Sequence, residues 1–452
     1  MNRYIKPAAI GLFCASLLFG GCNESYPGII YVEEDDVTSN FESSDSIPIM
    51  LTVRTPQLHF VTRGSGAIDT TNSEWKKRNT LFYVYAFQAK NSIYDGEIDF
   101  RKRAADKADD CIVDGSLDAN GTLHGKKAVF GTTGNSADTD GSITWADRST
   151  VYYNYTHQDY KYNFFIYHLD DAIIDGDVIH REKERIYMDV KFDGTQDIIS
   201  GMARSAGEST VIERLEAGGM QELVADYRGP QNYVYSTILG HRGIHPNFQI
   251  QHELVRFKFL IEKGDSMARD IQIKDIILTA QNKARLVVAS QDVSEIGLDY
   301  TMLQGEKGQF HLPEKIVAED GTVSFTPTNQ SGLNPEKYRM DSIYVNGKLE
   351  YFNPKSHTIE VGSELLLMPQ TAYDLTLVCE QKVYKNGQEG VQGMRPTYKL
   401  CLDETLTRRL EAGKIYTIKI TVYGLQEISL NINGVQWTPG EDIPLDEEDL
   451  FN

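Results

Sequence analysis

Alternation of apolar and polar residues at period two is the feature that most constrains this chain. The alternation is present in residues 47–54 and returns in 248–261, 271–278, 416–422 and 428–432. A period of two places successive side chains on opposite faces, so each run predicts a half-buried β-strand. Short strands separated by turns, without regular alternation of strands and helices, are typical of antiparallel sandwiches. The sequence therefore predicts an all-β fold with minor helices.

The length of the chain predicts two domains. Its 452 residues are too many for one hydrophobic core and suit two domains of about 200 residues each. A connection containing Gly, His and Pro precedes the second series of alternating runs. We therefore place an N-terminal β-sandwich domain at 47–245 and a C-terminal one at 246–452. Helical periodicity is concentrated in 195–227, and Asn346-Gly347 predicts a tight hairpin turn.

Residues 1–21 have the composition of an export signal. A basic start is followed by an apolar run ending at Phe19, which is too short to cross a bilayer as a helix. Two glycines then precede Cys22, an ending that resembles the bacterial lipobox, in which the cysteine is diacylated. Cleavage by an ordinary signal peptidase is the alternative. The sequence predicts a lipoprotein on the outside of a Gram-negative cell, held by several acyl chains on Cys22.

An acidic segment and then a strand follow this cysteine. Residues 22–46 are rich in acidic side chains and poor in apolar ones, which predicts a flexible tether. Pro48 has no backbone N–H to donate to a sheet and indicates that the first strand is an edge strand. One face of this strand carries Ile47, Ile49, Leu51 and Val53.

Charge and motifs exclude several classes of function. The formal net charge of −20 argues against nucleic acid as a partner. Metal-ligand spacings, phosphate-binding glycine loops and nucleophile motifs are absent from the sequence. It therefore predicts no catalytic residues, no metal, no cofactor and no enzymatic activity. Residues 138–141 lack the glutamate that a calcium loop requires. Cys379 and Cys401 either pair with each other or remain buried thiols, as Cys111 does.

Two further functions stay open at the level of sequence. Tyrosines clustered between residues 152 and 167 suit either a carbohydrate-stacking platform or ordinary strand packing. The cluster consists of Tyr152, Tyr153, Tyr155, Tyr160, Tyr162 and Tyr167. A glycan-binding lipoprotein requires several coplanar aromatic rings on one exposed face. A hydrolase on a β-sandwich requires two carboxyl groups about 5–9 Å apart across a cleft.

The order of the motifs resembles that of the fimbrillin family, the type V pilins of anaerobic gut and oral bacteria. The resemblance covers nearly the whole chain and implies two transthyretin-like antiparallel β-sandwich domains in tandem. It is carried by the lipobox cysteine, the polar tether, the first apolar strand, Val61-Thr62-Arg63-Gly64, the strand at 81–87, the strand opening at 254–259, the strands at 416–422 and 428–432, and residues 435–440.

The resemblance also implies a mechanism of assembly. In that family an arginine-specific protease outside the cell removes the tether and the first strand, and a strand of the next subunit fills the vacated groove. Here Arg63, in a Thr-Arg pattern, is the first candidate for cleavage and Arg54 the second. The expected donor is the C-terminal strand, whose period-two residues are Ile428, Leu430 and Ile432.

The expected partners are other fimbrial subunits joined by β-strand complementation, the outer membrane through the lipid anchor, and ligands on host or bacterial surfaces. The expected location is the cell surface, first as an anchored precursor and then in the fimbrium. The alternative within the family is an anchor or accessory subunit that keeps its first strand.

Overall fold

The structure, a computed structural model, consists mainly of β-strands and contains few helices, which confirms the predicted all-β class. It describes residues 47–54, 60–61, 67–68, 81–89, 98–106, 110–131, 140–154, 160–170, 172–204, 209–219, 221, 224, 235–241, 243–264, 271–299, 307–317, 323–340, 342–345, 348–351, 358–402, 406–424 and 427–436.

The first half of the chain contributes twelve described strands and two helices. The strands are β1 (Leu51–Arg54), β2 (Phe60–Val61), β3 (Ala67–Ile68), β4 (Leu81–Ala89), β5 (Cys111–Val113), β6 (Lys126–Gly131), β7 (Asp140–Trp145), β8 (Lys161–His168), β9 (Ile173–Arg181), β10 (Arg185–Lys191), β11 (Ile199–Ala203) and β12 (Asn247–His252). The helices are α1 (Ser209–Ala217) and α2 (Thr237–Gly240).

The second half contributes seventeen described strands. They are β13 (Val255–Lys263), β14 (Ile271–Gln281), β15 (Lys283–Ser290), β16 (Gly297–Asp299), β17 (Lys307–His311), β18 (Lys315–Val317), β19 (Val323–Phe325), β20 (Tyr338–Arg339), β21 (Ser342–Val345), β22 (Lys348–Tyr351), β23 (Ile359–Glu360), β24 (Leu365–Leu367), β25 (Ala372–Lys385), β26 (Gln388–Met394), β27 (Thr397–Cys401), β28 (Lys414–Gly424) and β29 (Glu427–Gln436). Short 3-10 helices lie at Ala104–Asp106 and Val293–Glu295.

The first sheet closes into a ring. Its strands follow one another in the order β4, β6, β7, β1, β12, β11 and β8, and β8 pairs back onto β4, while β5 lies beside β4. Period-two alternation sorts the side chains, so that Val84 faces the inside of the ring and Tyr85 faces outward. Leu215 of α1 and Leu239 of α2 join the core inside the ring.

The second sheet combines strands from both halves of the chain in the order β16, β15, β10 and β9. It packs against the outer face of β4, β8 and β11, where Phe87 and Phe165 meet Met188 and Leu286 in one buried core. Because β14 leads directly into β15, the chain leaves the C-terminal sheets at Asn282 and completes the N-terminal sandwich before it returns at β17.

The third and fourth sheets form the C-terminal sandwich. The third contains β23, β13, β28 and β29, with β24 also paired to β13. The fourth runs β22, β21, β20, β14, β25 and β26, with β17 on β14 and β27 on β25. Their facing residues, among them Phe259, Ile420, Ile276 and Leu377, make a third buried core. The transthyretin-like arrangement of the two sandwiches stays a prediction.

Strand pairing crosses the predicted boundary at 245/246 in both directions. The alternating run at 248–261 is two strands, because the chain changes sheet at Glu253 and Leu254, and its first part, β12, belongs to the ring. Residues 283–299 then return to the N-terminal sandwich. Strand pairing therefore follows no single boundary along the chain, and the division into two independently folding domains stays a prediction.

Three local predictions can be compared with the structure. The tight hairpin is confirmed, because Val345 pairs with Lys348 and leaves a two-residue connection that lies outside the described residues. Within the predicted helical segment 195–227, residues 199–203 instead form β11, while residues 209–217 form α1 and residues 221 and 224 are also helical. Two pairings in the otherwise antiparallel sheets are parallel, those of β1 with β12 and of β13 with β28.

Candidate functional site: the first and last strands

The first strand is an internal strand of the ring. It runs antiparallel to β7 and parallel to β12, so that Val53 lies opposite both Gly141 and Phe248. Leu51 and Val53 are buried while Thr52 between them is partly exposed, which is the alternation that the sequence predicts. The predicted edge position is therefore wrong.

The residues before β1 are also held in place. The Ile49 N–H donates to the Val151 carbonyl oxygen at 2.7 Å, and the Tyr153 N–H donates to the Ile47 carbonyl oxygen at 3.0 Å. Pro48 lies between them in an isolated bridge with Tyr152, outside β1, so its missing N–H costs the sheet no hydrogen bond. Residues 47–54 are thus bound to the N-terminal sandwich along their whole length.

The candidate cleavage sites differ in their setting. Arg54 is the last residue of β1, with its backbone opposite Asp140 on one side and Gln249 on the other. Arg63 and the predicted lipidation site Cys22 lie outside the described residues.

The last strand has one neighbour. Among the described residues, β29 pairs only with β28, in antiparallel register. The three residues predicted to form the donor face are half-buried against the C-terminal core. Ile428 lies opposite Val422, Leu430 opposite Ile420 and Ile432 opposite Ile418. The alternation is as predicted, and this segment fills the edge of its own sandwich.

A buried carboxylate ties the two halves of the chain together at the β12–β13 junction. Glu253 is 3% exposed and accepts hydrogen bonds from Ser200 Oγ at 2.5 Å, Gln251 Nε2 at 3.1 Å and the Leu298 N–H at 3.1 Å. Burial raises the pKa of the Glu253 carboxyl above its ordinary value, although these hydrogen bonds act in the opposite direction. The group joins β11, the junction and β16.

A second polar pair lies beside it. His252 Nδ1 is 2.9 Å from Asp197 Oδ1, and both side chains are buried. Asp170 Oδ2 accepts a hydrogen bond from the Asp197 N–H at 3.3 Å, and its side chain is buried as well. Motif searching misses this group, but the interruption of the 248–261 alternation by His252-Glu253 is a signal for it. Because the interior of the protein encloses these side chains, they offer a substrate no access.

The structure also bears on the alternative functions. Tyr153, Tyr162 and Tyr167 are buried, so they cannot stack on a carbohydrate, and Tyr155 lies outside the described residues. Asp140 and Gly141 begin β7 and do not belong to a loop. In the described part of the chain, no group of three or more His, Cys, Asp or Glu side chains could hold a metal ion.

Cys379 and Cys401 do not form a disulfide with each other. Cys111 and Cys379 are buried free thiols and Cys401 is a half-buried one. Cys401 lies opposite Ala372 in the β25–β27 pairing, seven residues along the strand from Cys379. At about 3.3 Å per residue, this separation far exceeds the reach of a disulfide. No helix among the described residues is long and apolar enough to span a membrane.

Comparison with known proteins gives structural neighbours only. No family model and no curated protein matches the chain. A candidate cell adhesion protein from Bacteroides uniformis is similar over 87% of this chain and 98% of its own, with 12% identity and a TM-score of 0.37. One from Bacteroides eggerthii covers 88% and 100%, with 10% identity and a TM-score of 0.37.

The fimbrial anchor protein Mfa2 from Porphyromonas gingivalis is also similar, over 86% of this chain and 99% of its own, with 11% identity and a TM-score of 0.30. The names of these neighbours describe cell adhesion and fimbrial proteins. At such identities and TM-scores, the likeness carries no argument about how this chain works.

Proposed function

We propose that this chain is a structural subunit of a cell-surface fimbria, exported as a lipoprotein and assembled by exchange of strands between subunits. The observation that carries the proposal is the position of β1. This strand follows the N-terminal tether in sequence, yet it fills the space between two other strands of the ring. A terminal strand with two neighbours is a plug whose removal opens a groove.

The groove would present two kinds of surface: unpaired backbone hydrogen-bonding groups along its edges and apolar side chains on its floor. Loss of β1 exposes backbone N–H and C=O groups on β7 and β12, together with the apolar surface that Leu51 and Val53 cover. Ile47 extends this contact, because its Cγ2 lies 2.7 Å from the position that a Cβ atom would take on Gly240. A replacement strand restores both the hydrogen bonds and the burial. It must run antiparallel to β7 and parallel to β12.

The C-terminal strand is the proposed donor. Because β29 has one described neighbour and half-buried side chains, its release breaks fewer hydrogen bonds per residue than the release of a strand with two neighbours. Three aliphatic residues, at about 1.5–3 kcal/mol each when fully buried, favour its insertion into the groove of another subunit. The period-two spacing of Ile428, Leu430 and Ile432 matches that of Ile49, Leu51 and Val53.

Arg63 is the proposed first site of cleavage. The Arg54 backbone is enclosed between two strands, so a protease can cut there only after β1 has left the sheet. Cleavage after Arg63 leaves β1 covalently free of the rest of the subunit and allows it to depart. Arg54 remains the second candidate.

Limited digestion tests assembly. An arginine-specific protease should convert the uncleaved protein into SDS-resistant oligomers, and deletion of residues 426–452 or the substitution Leu430→Asp should prevent this. Arg63→Lys keeps the charge and removes the arginine-specific site, so it should form no SDS-resistant oligomers if Arg63 is the site. Cleaved protein that forms no SDS-resistant oligomers at high concentration contradicts the proposal, as does normal polymerisation of the deletion variant.

The membrane anchor requires a separate test. Cys22→Ala should release the protein from the outer membrane, because the acyl chains on Cys22 are its proposed attachment. Continued membrane fractionation of this variant contradicts lipid anchoring. If the surface form in cells retains lipidated Cys22 and β1, the chain is instead the anchor or accessory subunit of the family.

A further inference from the structure

The C-terminal sandwich carries a β-hairpin that extends beyond the rest of its sheet. Asn386 and Gly387 have φ values of 52° and 78°, which fit a two-residue type I′ turn between β25 and β26. Gln381 is the last residue of β25 that pairs with β14. We call residues 382–391 the arm. In the described part of the chain it is a two-stranded ribbon, a form that is only marginally stable in water on its own.

One of the two free edges of the arm belongs to β26. Because Lys385 and Gln388 flank a two-residue turn, they form a hydrogen-bonded pair, and the pairs then alternate along the hairpin. The N–H and C=O groups of Glu389, Val391 and Gly393 therefore point away from β25. Among the described residues, β26 pairs with no other strand, and all its residues except Met394 are exposed.

This edge lacks the usual protection against association. Natural edge strands often carry lysine or proline, and β26 has neither. It contains Gly390 and Gly393 instead, where an added Cβ atom would come no closer than 3.7 Å to any neighbour. Val391 and Tyr384 lie on the same face of the arm and are 63% and 64% exposed.

We propose that β26 pairs antiparallel with β26 of a second copy of this chain, about a two-fold axis at Val391. The two copies of Val391 then lie opposite each other, and Glu389 of each copy lies opposite Gly393 of the other. This register overlaps all seven residues of the strand and covers both exposed valines.

Charge favours the same register. Glu389 is the one charged residue of β26 and is paired with Lys382 of its own chain at 2.7 Å. With the axis at Val391 no like charges face each other, whereas an axis at Glu389 places two carboxylates opposite each other. The contact uses neither β1 nor β29, so it joins subunits side by side and requires no cleavage.

Disulfide trapping tests the register. In a hydrogen-bonded antiparallel pair the two Cα atoms are about 5.5 Å apart, within disulfide range. Uncleaved Cys22→Ala protein that also carries Cys401→Ser and Val391→Cys should form a covalent dimer on mild oxidation, about tenfold faster than the matched Tyr384→Cys variant. Tyr384 is equally exposed but lies on β25, far from its copy. Equal rates for the two variants overturn the proposal.

A second variant tests the contact without a crosslink. The Val391 N–H points outward, so Val391→Pro removes a donor from the free edge and leaves the hydrogen bonds of the hairpin intact. By analytical ultracentrifugation, the uncleaved Cys22→Ala protein and its Val391→Thr variant should dimerise, and Val391→Pro should be monomeric with unchanged thermal unfolding. A monomeric parent protein, or a Val391→Pro variant that dimerises normally, overturns the proposal. Neither result depends on strand exchange after cleavage.

Discussion

The first strand and the last strand of this chain occupy opposite positions in their sheets. β1 has a neighbour on each side and two fully buried side chains, whereas β29 has one described neighbour and three half-buried ones. Removal of β1 therefore exposes two strand edges, those of β7 and β12, whereas release of β29 exposes one edge, that of β28. The proposed donor strand β29 and the proposed groove, which β1 fills, therefore lie in different sandwiches.

A second comparison, with β13, shows why the proposal of removal applies to β1 and not to another internal strand. β13 opens the C-terminal sandwich in a similar way: it pairs parallel to the late strand β28, just as β1 pairs parallel to β12. β13 also has neighbours on its other side, β23 and β24. The chain continues at both ends of β13, however, and a single cut cannot free it. Position in the chain, more than pairing, is therefore the reason why β1 is the strand proposed to leave.

Truncation of one aliphatic residue in β1 and of one in β29 should show the largest difference between the two strands. Leu51→Ala in β1 should lower the free energy of unfolding by about 3 kcal/mol, because it leaves a cavity in a closed core. Leu430→Ala in β29 should cost about 1 kcal/mol, because that side chain is half-exposed. Chemical denaturation of both variants measures the difference, and equal losses contradict the contrast between the two strands.

Two glycines provide the next test. A Cβ atom at Gly201, in β11 of the ring, would lie 2.1 Å from the Gln249 carbonyl oxygen, so Gly201→Ala must push β11 and β12 apart. We expect a loss of about 2 kcal/mol. Gly424 in β28 has no neighbour within 4 Å of the same position, and Gly424→Ala should change stability by less than about 0.5 kcal/mol. Thermal unfolding distinguishes the two, and a tolerated Gly201→Ala shows that the ring is looser than the structure indicates.

The smallest effect concerns pH. Because burial raises the pKa of Glu253 in the folded state, its stabilising contribution is complete below the unfolded pKa of about 4.3 and is lost as the pH rises through the folded pKa. Each unit of difference is worth about 1.4 kcal/mol. Glu253→Gln, a neutral isostere, should flatten the fall in stability across this range. Urea denaturation at a series of pH values measures it, and an unchanged slope contradicts the role of Glu253 at the junction.

The sequence predicts correctly which face of a strand is buried, but it does not predict which strands pair with it. Leu51 and Val53 are buried on one face as their spacing predicts, since period two is a property of the local backbone. Pro48 suggested an edge, but it lies just outside β1 and says nothing about what pairs with that strand. Prediction of one strand over 248–261 misses the change of sheet at Glu253 and Leu254, because the runs on both sides of the interruption at His252-Glu253 have a period of two.

The sequence by itself determined the alternating strands at 51–54, 271–278, 416–422 and 428–432, the tight hairpin between Val345 and Lys348 and the absence of known catalytic motifs, because each depends on residues close together in the chain. The tertiary structure alone decided that β1 is internal, since its partner β12 lies nearly 200 residues away: Thr52 reaches Pro246 across 194 positions. It also decided that residues 283–299 complete the N-terminal sandwich and that Glu253 is buried there. Such contacts follow from which apolar faces can cover one another, and no local pattern encodes that choice.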